Sequence, residues 1–584
     1  MTLEVQLTKQ SRLVPTTSVI SPSIFYLSPF EALTVRWPPT RAVWVFPPSH
    51  NDITQLILAL KLALQILINR YPILTGEVHR DVDRYDRFYV KAGSPGITLL
   101  ESFADAATTE LYGETFQSQT HFDPISIGSQ SLIPDYSYLA SPFPANSSNL
   151  IDIPTLSSFQ ITTFRDNGIG LAILTTHQIA DAKTIITLMK EWTEITTYIL
   201  RRDLITKPLT STSGTHDTQL IELQSNSDFP LPRLDFQSPA TFWEAQATYN
   251  GTQSAVSNQR VAIATQLPMR FFDIYHHQGA ELICGPLPEP FQQTQFSTLF
   301  GEPLISDLPE PQSSSDRLAI RGFNIFPVDL EILLSETRKY LNDAGSFSNQ
   351  PNYNEIINSI SSLDIFQAYI WVTVLLARNY HHHHQDDTQL AHYYYNLNHR
   401  DRYQQNEFGP DPSRFGLSPV SCMAIQFPLS SLFSNSISSI ATVAFHLRKS
   451  LFEVTPERLQ AFIHTLHFDP LPSRIWSANL GYYHYITSSW HRSGLWDISL
   501  PFNGDQPNSD VSPGLVHPCY AAGITPTEAG VCTLYEKQKF DSKKWYQNGI
   551  TFILCLPESD MTKFTQYLKP STFLPELCSN SPAK

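Results

Sequence analysis

The segment Ile169–Thr193, IGLAILTTHQIADAKTIITLMKEWT, places a buried strand directly before an amphipathic helix. The runs Phe159–Arg165 and Ile169–Thr176 are rich in β-prone residues, and the D-N-G sequence between them is typical of a hairpin turn. The second run is almost wholly apolar, which indicates a central strand. After Asp181, apolar residues recur at helical spacing, at Ile185, Leu188, Met189, Trp192, Ile195 and Ile199.

His177 ends this strand and Asp181 follows four positions later, just before the helix. The spacing alone is weak evidence, because among nineteen histidines roughly one such pair is expected by chance. The tract His381–Asp387 has the same spacing in a polar run and is predicted to be a solvated loop. An imidazole held rigidly at a strand end, with an ordinary pKa near 6.5, is a candidate general base. The alternative is a hydrogen-bonded core histidine.

Other stretches predict further regular elements. Leu56–Ile68 has the pattern of an amphipathic helix capped by Asn51 or Asp52, and Ser361–Arg378 also has a helical pattern. Near the end of the chain, a strand is predicted at Gly549–Leu556 and a helix near Ser559–Leu568.

Five blocks together resemble the BAHD acyl-CoA-dependent acyltransferases of plants and fungi, whose motifs are HxxxD, N-x-R-x-R and S-W followed by D-F-G-W-G. The blocks occur in the family's order over nearly the whole chain, and polar, Pro-rich insertions favour a fungal secondary-metabolite enzyme. They are LSPFEAL at Leu27–Leu33, RYPILTGEV at Arg70–Val78, HQIADAKT from His177, NLNHRDRY at Asn396–Tyr403 and ITSSWHRSGLWDISLPFNGDQP at Ile486–Pro507.

The resemblance implies an α/β fold of two chloramphenicol-acetyltransferase-like domains. Each would be a mixed β-sheet with flanking helices, and the active-site channel would run between them. We expect an N-terminal domain at residues 1–206, a crossover at 207–257 and a C-terminal domain at 258–584.

The resemblance also implies roles for individual residues. His177 would be the general base, and Ser488 with the indole N–H of Trp490 would stabilise the oxyanion. Asp181 would point away from the pocket and pair with an arginine. Only Asp497 remains of the D-F-G-W-G motif, while Arg400 holds the first arginine position of N-x-R-x-R. We therefore predict a structural salt bridge between Asp497 and Arg400.

Composition narrows the function classes. A formal net charge of −15 argues against nucleic acid or an anionic membrane as a partner. The chain lacks an apolar run of about eighteen residues, so no membrane span is predicted, and no secretory signal is visible. Six scattered cysteines have neither zinc nor disulfide spacing. We expect a cytoplasmic, monomeric protein without a metal.

The resulting hypothesis is an O-acyltransferase that moves an acyl group, in the first instance acetyl, from acyl-CoA to a hydroxyl of an apolar secondary metabolite. Acyl-CoA would be a co-substrate, with no permanently bound cofactor and no acyl-enzyme. Three alternatives stay open: an N-acyltransferase, a carrier-dependent condensation-type enzyme, and a non-catalytic binding protein. Condensation domains have a second histidine before HxxxD, whereas this chain has Thr176 there.

Overall fold

The computed structural model describes residues 3–16, 24–34, 37–48, 52–81, 87–113, 119–124, 131–135, 155–201, 229–230, 232–248, 258–269, 272–273, 317–343, 350–378, 390–402, 410–428, 432, 436–469, 472, 475–476, 484–502, 514–523, 526, 529–537 and 548–569. Much of the predicted crossover and all of the His381–Asp387 tract lie outside these residues.

The strands are β1 (Val5–Leu13), β2 (Ile24–Tyr26), β3 (Thr40–Phe46), β4 (Glu77–Arg80), β5 (Phe88–Lys91), β6 (Ile97–Ala104), β7 (His121–Phe122), β8 (Ser157–Phe164), β9 (Ile169–Thr175), β10 (Phe272–Asp273), β11 (Leu318–Ile325), β12 (Leu390–Asn398), β13 (Val420–Pro428), β14 (Ile475–Trp476), β15 (His484–Ser489), β16 (Leu500–Phe502), β17 (Gly514–Val516), β18 (Tyr520–Ala522), β19 (Val531–Glu536) and β20 (Ile550–Pro557).

The α-helices are α1 (Pro29–Thr34), α2 (Ile53–Arg70), α3 (Thr108–Tyr112), α4 (Ala182–Arg201), α5 (Ser238–Thr248), α6 (Asn258–Ala264), α7 (Pro327–Asp343), α8 (Tyr353–Ser359), α9 (Ser362–Ala377), α10 (Ile437–Glu453), α11 (Pro456–Phe468) and α12 (Glu558–Tyr567), and short 3-10 helices occur at Pro72–Thr75, Arg400–Arg402 and Pro412–Arg414.

Two mixed sheets carry the fold, as predicted. The first has six strands in the order β1-β6-β8-β9-β3-β18, and the second has seven in the order β13-β12-β15-β19-β20-β11-β7. Smaller sheets pair β10 with β14, β16 with β17, and β2 with β5 and β4. Helices α2 and α4 cover one face of the first sheet, and α7, α9, α10 and α12 pack in the core of the second.

Each large sheet takes an edge strand from the other half of the chain. β7 pairs with β11 in the second sheet, and β18 pairs with β3 in the first. The predicted limits of 206 and 258 stay a prediction, but this exchange shows that the two halves are interlocked through backbone hydrogen bonds.

The predicted hairpin is confirmed and forms the centre of the first sheet. β8 and β9 are antiparallel, with Thr163 opposite Ile169 and Ser157 opposite Thr175. Asn167 supplies the positive φ of 65° that the turn requires. Every residue of β9 is buried, because the sheet is covered on both faces. The strand that leads to His177 is therefore rigidly held.

The predicted helices at Leu56–Ile68 and Ser361–Arg378 are also confirmed. α2 begins after Asp52, whose Oδ1 accepts hydrogen bonds from the N–H groups of Thr54 and Gln55 at 3.0 and 3.1 Å. Trp192 of α4 donates its indole N–H to the Leu60 carbonyl of α2 at 2.8 Å. This bond joins the two helices that support the strand before His177.

Within the described residues, α2 is the only single helix with the length and apolar composition of a membrane span. Half of its residues are buried inside the fold. A second candidate arises only if α8 and α9, which are bent by 88° relative to each other, are counted as one span.

The cap of α2 can be tested directly. Asp52→Ala removes an acceptor for two N–H groups and should lower the free energy of unfolding by about 1 kcal/mol, measured by urea titration. Asp52→Asn keeps an acceptor oxygen and is the matched control. Equal losses in the two variants would contradict the capping role.

Candidate active site

His177 lies in the turn between β9 and α4. The Thr176 N–H donates to the Leu156 carbonyl at 3.1 Å, and Thr40 donates its hydroxyl to the Ala180 carbonyl at 2.7 Å. Because both sides of the turn are tied to the first sheet, the position of the imidazole is set by the fold.

Two side chains contact the His177 ring. Ser418 places its Oγ 3.0 Å from Nδ1, and Trp37 packs edge-on with the ring centroids 5.0 Å apart. His177 and Trp37 are only half-buried, so the residue stays accessible, whereas Ser418 is fully buried.

The environment indicates which ring nitrogen is free to act as a base. The backbone carbonyl of His177 raises the pKa of its own ring, which places an acceptor beside Nδ1, the ring nitrogen nearest to the main chain. With Ser418 on the same nitrogen, we assign the proton to Nδ1 and the lone pair to Nε2. Nε2 is therefore the candidate proton acceptor.

Burial keeps this imidazole neutral. Desolvation lowers the pKa of His177 to about 4, and the nearby Asp181 charge and the hydrogen bond to its own carbonyl offset only part of that effect. At neutral pH the ring is unprotonated. It can accept a proton, and the imidazolium formed in a reaction would be a strong acid.

Asp181 is turned toward Arg400 rather than toward His177. Asp181 Oδ2 accepts a hydrogen bond from Arg400 Nη1, and Oδ1 lies 3.2 Å from Nη2. Oδ1 also accepts from the Thr184 N–H at 3.0 Å, within the first turn of α4. Both residues are buried. The arginine partner expected for Asp181 is thus Arg400.

Arg400 also organises the backbone around residues 415–417. Its Nε donates to the Phe415 carbonyl at 2.7 Å, and Nη2 donates to the carbonyls of Gly416 and Leu417 at 3.2 and 3.0 Å. Ser418, the partner of His177, directly follows this segment. The guanidinium therefore couples the HxxxD turn to the second sheet, and its hydrogen bonds leave it unsuited to bind a phosphate.

The predicted salt bridge between Asp497 and Arg400 is wrong. Asp497 is exposed and lies in a turn closed by its N–H donating to the Gly494 carbonyl at 3.0 Å. The physical reason is that Arg400 is buried beside Asp181, which satisfies its charge without a second carboxylate.

Apolar packing maintains the region of the degenerate motif. Ile498 and Leu500 are buried in the core between the first sheet and helices α2 and α4. The Trp44 indole N–H donates to the Leu495 carbonyl at 2.7 Å. Asp497, the aspartate of the D-F-G-W-G motif, is thus retained without the buried salt bridge to Arg400 that we predicted.

Ser488 and Trp490 lie at the end of β15. Ser488 is opposite Thr533 in the sheet. Trp490 is buried, and a side chain at position 523 in place of Gly523 would come within 2.7 Å of its ring. The Trp490 Nε1 has no hydrogen-bond partner within the described residues. No contact between either residue and His177 is seen there, so their oxyanion role stays a prediction.

An apolar wall adjoins the His177 ring. Trp37, which contacts His177, packs against a cluster formed by β12, β13 and β15. The other members of this cluster are Tyr394, Cys422, Ala424 and Ile486. These side chains lie on the face of the second sheet opposite its helical core, because Tyr393 and Tyr395 point the other way. Within the described residues no group of acidic, histidine or cysteine side chains could hold a metal ion.

Sequence reasoning missed Ser418, Trp37 and Glu31 as neighbours of the site. Glu31 carries a visible signal, since it lies in the LSPFEAL block, but its contact with the Ser418 N–H at 3.2 Å is purely tertiary. Nothing in the local sequence around Ser418 or Trp37 marks them as partners of a histidine far away in the chain.

Residues 3–261 match the sequence model of the Transferase family. This match covers the N-terminal part of the chain, less than half of its length. Among curated proteins, no sequence matches this chain significantly.

Solved structures share the fold over nearly the whole chain. Vinorine synthase is 14% identical with a TM-score of 0.55, and the alignment covers 98% of both chains. TRI101 of F. graminearum, complexed with coenzyme A and deoxynivalenol, is 13% identical with a TM-score of 0.55, covering 93% of this chain and 97% of that one. TRI101 of F. sporotrichioides, complexed with coenzyme A and T-2, is 13% identical with a TM-score of 0.54, covering 92% and 96%. At such identities the likeness establishes the fold.

The buried pair can be tested by a double-mutant cycle. Asp181→Ala and Arg400→Ala should each lower the free energy of unfolding by roughly 3–5 kcal/mol, because each strands a buried charge. The double variant should lose less than the sum. Urea titration measures all three.

Asp497→Ala is the matched control, since it removes an exposed acid from the motif that we had paired with Arg400. It should change stability by no more than about 0.5 kcal/mol. Strict additivity in the Asp181–Arg400 cycle would contradict the coupling.

Proposed function

We propose that the protein is an acyltransferase of the BAHD type, which moves an acyl group, in the first instance acetyl, from acyl-CoA to a hydroxyl of an apolar small molecule. The observation that carries this proposal is the accessible, neutral His177 held between Ser418 and Trp37. The coenzyme A complexes of the TRI101 structures support the choice of donor.

In the proposed mechanism, Nε2 of His177 removes the acceptor proton as the hydroxyl oxygen attacks the thioester carbonyl. The tetrahedral intermediate then collapses, the C–S bond breaks, and the imidazolium returns the proton to the coenzyme A thiolate. The acyl group passes directly to the acceptor without an acyl-enzyme. A neutral imidazole is needed at the start of this cycle, and burial supplies it.

Ser488 and Trp490 are the proposed donors to the oxyanion. The support for Trp490 is its buried indole N–H, which lacks a partner among the described residues. A donor already desolvated before the reaction costs little further reorganisation when the oxyanion forms. Ser488 is proposed on its position in the motif alone.

Trp37 and its cluster support an acceptor with an apolar surface. Together with the trichothecene complexes of the TRI101 structures, they make a secondary metabolite the favoured acceptor class. We also propose a cytoplasmic monomer. The four cysteines within the described residues are free thiols, which fits a reducing compartment.

Three other functions keep the same fold and are separated by substrate. An N-acyltransferase would prefer amine acceptors, a condensation-type enzyme would need a carrier-bound acyl group, and a binding protein would release no coenzyme A. Condensation domains have a second histidine immediately before the HxxxD motif. In this chain that position is Thr176, which has no imidazole and whose N–H fixes the end of β9.

Replacement of the proposed base gives the most direct test. His177→Ala should lower kcat by ~10²–10⁴ while acyl-CoA binding and the far-ultraviolet circular dichroism spectrum are retained. Because burial lowers the pKa of His177 to about 4, the base is unprotonated at neutral pH and the loss should persist across the neutral range. Product release is measured by mass spectrometry. Turnover within a few-fold of the unmodified protein would remove His177 from the mechanism.

Donor binding can be measured without knowing the acceptor. Acetyl-CoA at a hundredfold excess over its Kd should stabilise the fold by about 2.7 kcal/mol and raise the melting temperature. Acetyl phosphate, an acyl donor without the coenzyme A moiety, is the control. No shift and no binding at millimolar acetyl-CoA would favour the carrier-dependent or non-catalytic function.

A further inference from the structure

We propose that Ser418 and Glu31 are positioning residues for His177. Ser418 contacts the imidazole at Nδ1, and Glu31 accepts a hydrogen bond from the Ser418 N–H. This inference rests on the proposed function, in which His177 is the general base.

The three residues form a continuous polar connection through the interior. Ser418 Oγ lies 3.0 Å from His177 Nδ1, and the Ser418 N–H donates to Glu31 Oε1 at 3.2 Å. Ser418 and Glu31 are almost completely buried. With the proton on Nδ1, the Ser418 oxygen accepts it and leaves Nε2 directed to the accessible edge of the ring.

The backbone before Ser418 is held in an unfavourable conformation. Leu417 has a φ of 59°, which non-glycine residues rarely adopt. Its carbonyl accepts hydrogen bonds from Arg400 Nη2 at 3.0 Å and from the Thr184 hydroxyl at 3.1 Å. Arg400 and Thr184 thus fix the carbonyl of Leu417, and the Glu31 carboxylate fixes the N–H of Ser418. Their combined effect is to point the Ser418 hydroxyl at His177.

Glu31 also has a purely local role. Its Oε2 accepts from the Ser28 N–H at 2.8 Å and from the Ser28 hydroxyl, while Ser28 Oγ accepts from the Phe30 N–H at 3.2 Å. This is a capping box at the start of α1. The other carboxylate oxygen, Oε1, takes no part in this cap. It accepts the hydrogen bond from Ser418, which lies in the other half of the chain.

The charge of Glu31 is suited to this second role. No ion-pair partner of Glu31 occurs in the described part of the chain. Burial raises its pKa to about 7, although hydrogen bonds from Ser28 and Ser418 favour the carboxylate. Above that pH, a negative charge behind Ser418 would stabilise the imidazolium that forms on His177 during transfer.

Other titratable groups face this network. Asp181 and Arg400 lie on the far side of the Leu417 segment as a matched pair. His399 stacks on Phe30 of α1, and burial together with the Arg402 charge lowers the pKa of His399 to about 3. His399 is therefore uncharged near neutral pH. Burial places the pKa of Glu31, by contrast, in the neutral range.

Ser418→Ala and Glu31→Gln test the inference, each with a matched control. Ser421→Ala removes a hydroxyl that contacts a different buried histidine, His399, at 2.6 Å. Asp364→Asn neutralises the acid of another capping box, at the start of α9. Circular dichroism and melting temperature establish folding for all four variants.

Two readouts are used. The first is the rate at which diethyl pyrocarbonate modifies His177, followed on the His177 peptide by mass spectrometry; it requires no substrate. The second is kcat and KM for release of coenzyme A from acetyl-CoA, with water as the acceptor, from about pH 5.5 to about 8.5.

Ser418→Ala should lower kcat by about ten- to a hundredfold, the effect of one hydrogen bond to a charged group, and leave KM for acetyl-CoA unchanged. It should also change the modification rate of His177 by about fivefold or more, whereas Ser421→Ala stays within about twofold. In the unmodified protein kcat should rise as pH increases through about 7. That rise should be lost in Glu31→Gln and kept in Asp364→Asn.

The role of Ser418 would be overturned if Ser418→Ala and Ser421→Ala showed the same kcat and the same modification rate of His177. A rise of kcat near pH 7 that persists in Glu31→Gln would overturn the role of Glu31, and this arm decides the inference if Ser418→Ala does not fold. If the unmodified protein neither binds nor hydrolyses acetyl-CoA, the proposed function fails, while the modification rates still decide whether Ser418 positions His177.

Discussion

The buried ion pair of Asp181 and Arg400 is the interaction on which the site depends. Arg400 is satisfied by one carboxylate, one hydroxyl and three carbonyls, all inside the protein. A buried pair contributes little net stability compared with apolar packing, but losing one partner costs roughly 3–5 kcal/mol. Its value here is geometric, because one guanidinium fixes both the start of α4 and the segment that carries Ser418.

The His177 environment balances two opposing effects. Burial removes water and lowers the pKa of the ring, while the Asp181 charge raises it. Desolvation is the larger effect, so the ring is neutral and ready to accept a proton. Asp181 favours the protonated ring, but its effect is smaller than that of desolvation. The carboxylate that shapes the turn therefore leaves the candidate base unprotonated at neutral pH.

The two sheets meet around this turn through contacts that are distant in sequence. The exchanged strands β7 and β18 join the halves by backbone pairing, and the contact of Ser418 with His177 joins them at the site. The last motif shows how such an arrangement tolerates change. Its aspartate, Asp497, is exposed, but Ile498 and Leu500 anchor the motif in the core that packs against the first sheet.

The sequence by itself determined the local structure around His177. Two β-prone runs around a D-N-G turn predicted β8 and β9, helical spacing predicted α4, and Asn51 or Asp52 marked the start of α2. These signals depend on neighbouring residues, so they can be seen without the fold. The ordered motifs also indicated the acyltransferase family and an arginine for Asp181.

Only the tertiary structure decided which arginine, which hydroxyl and which carboxylate surround the histidine. Arg400 was assigned to the wrong acid because the sequence shows that both charges exist but not which pair is buried together. Ser418 and Glu31 are 387 residues apart in the chain, and their contact arises when the two sheets interlock. The physical reason is that desolvation and hydrogen bonding act over a few ångströms of space, whatever the separation in sequence.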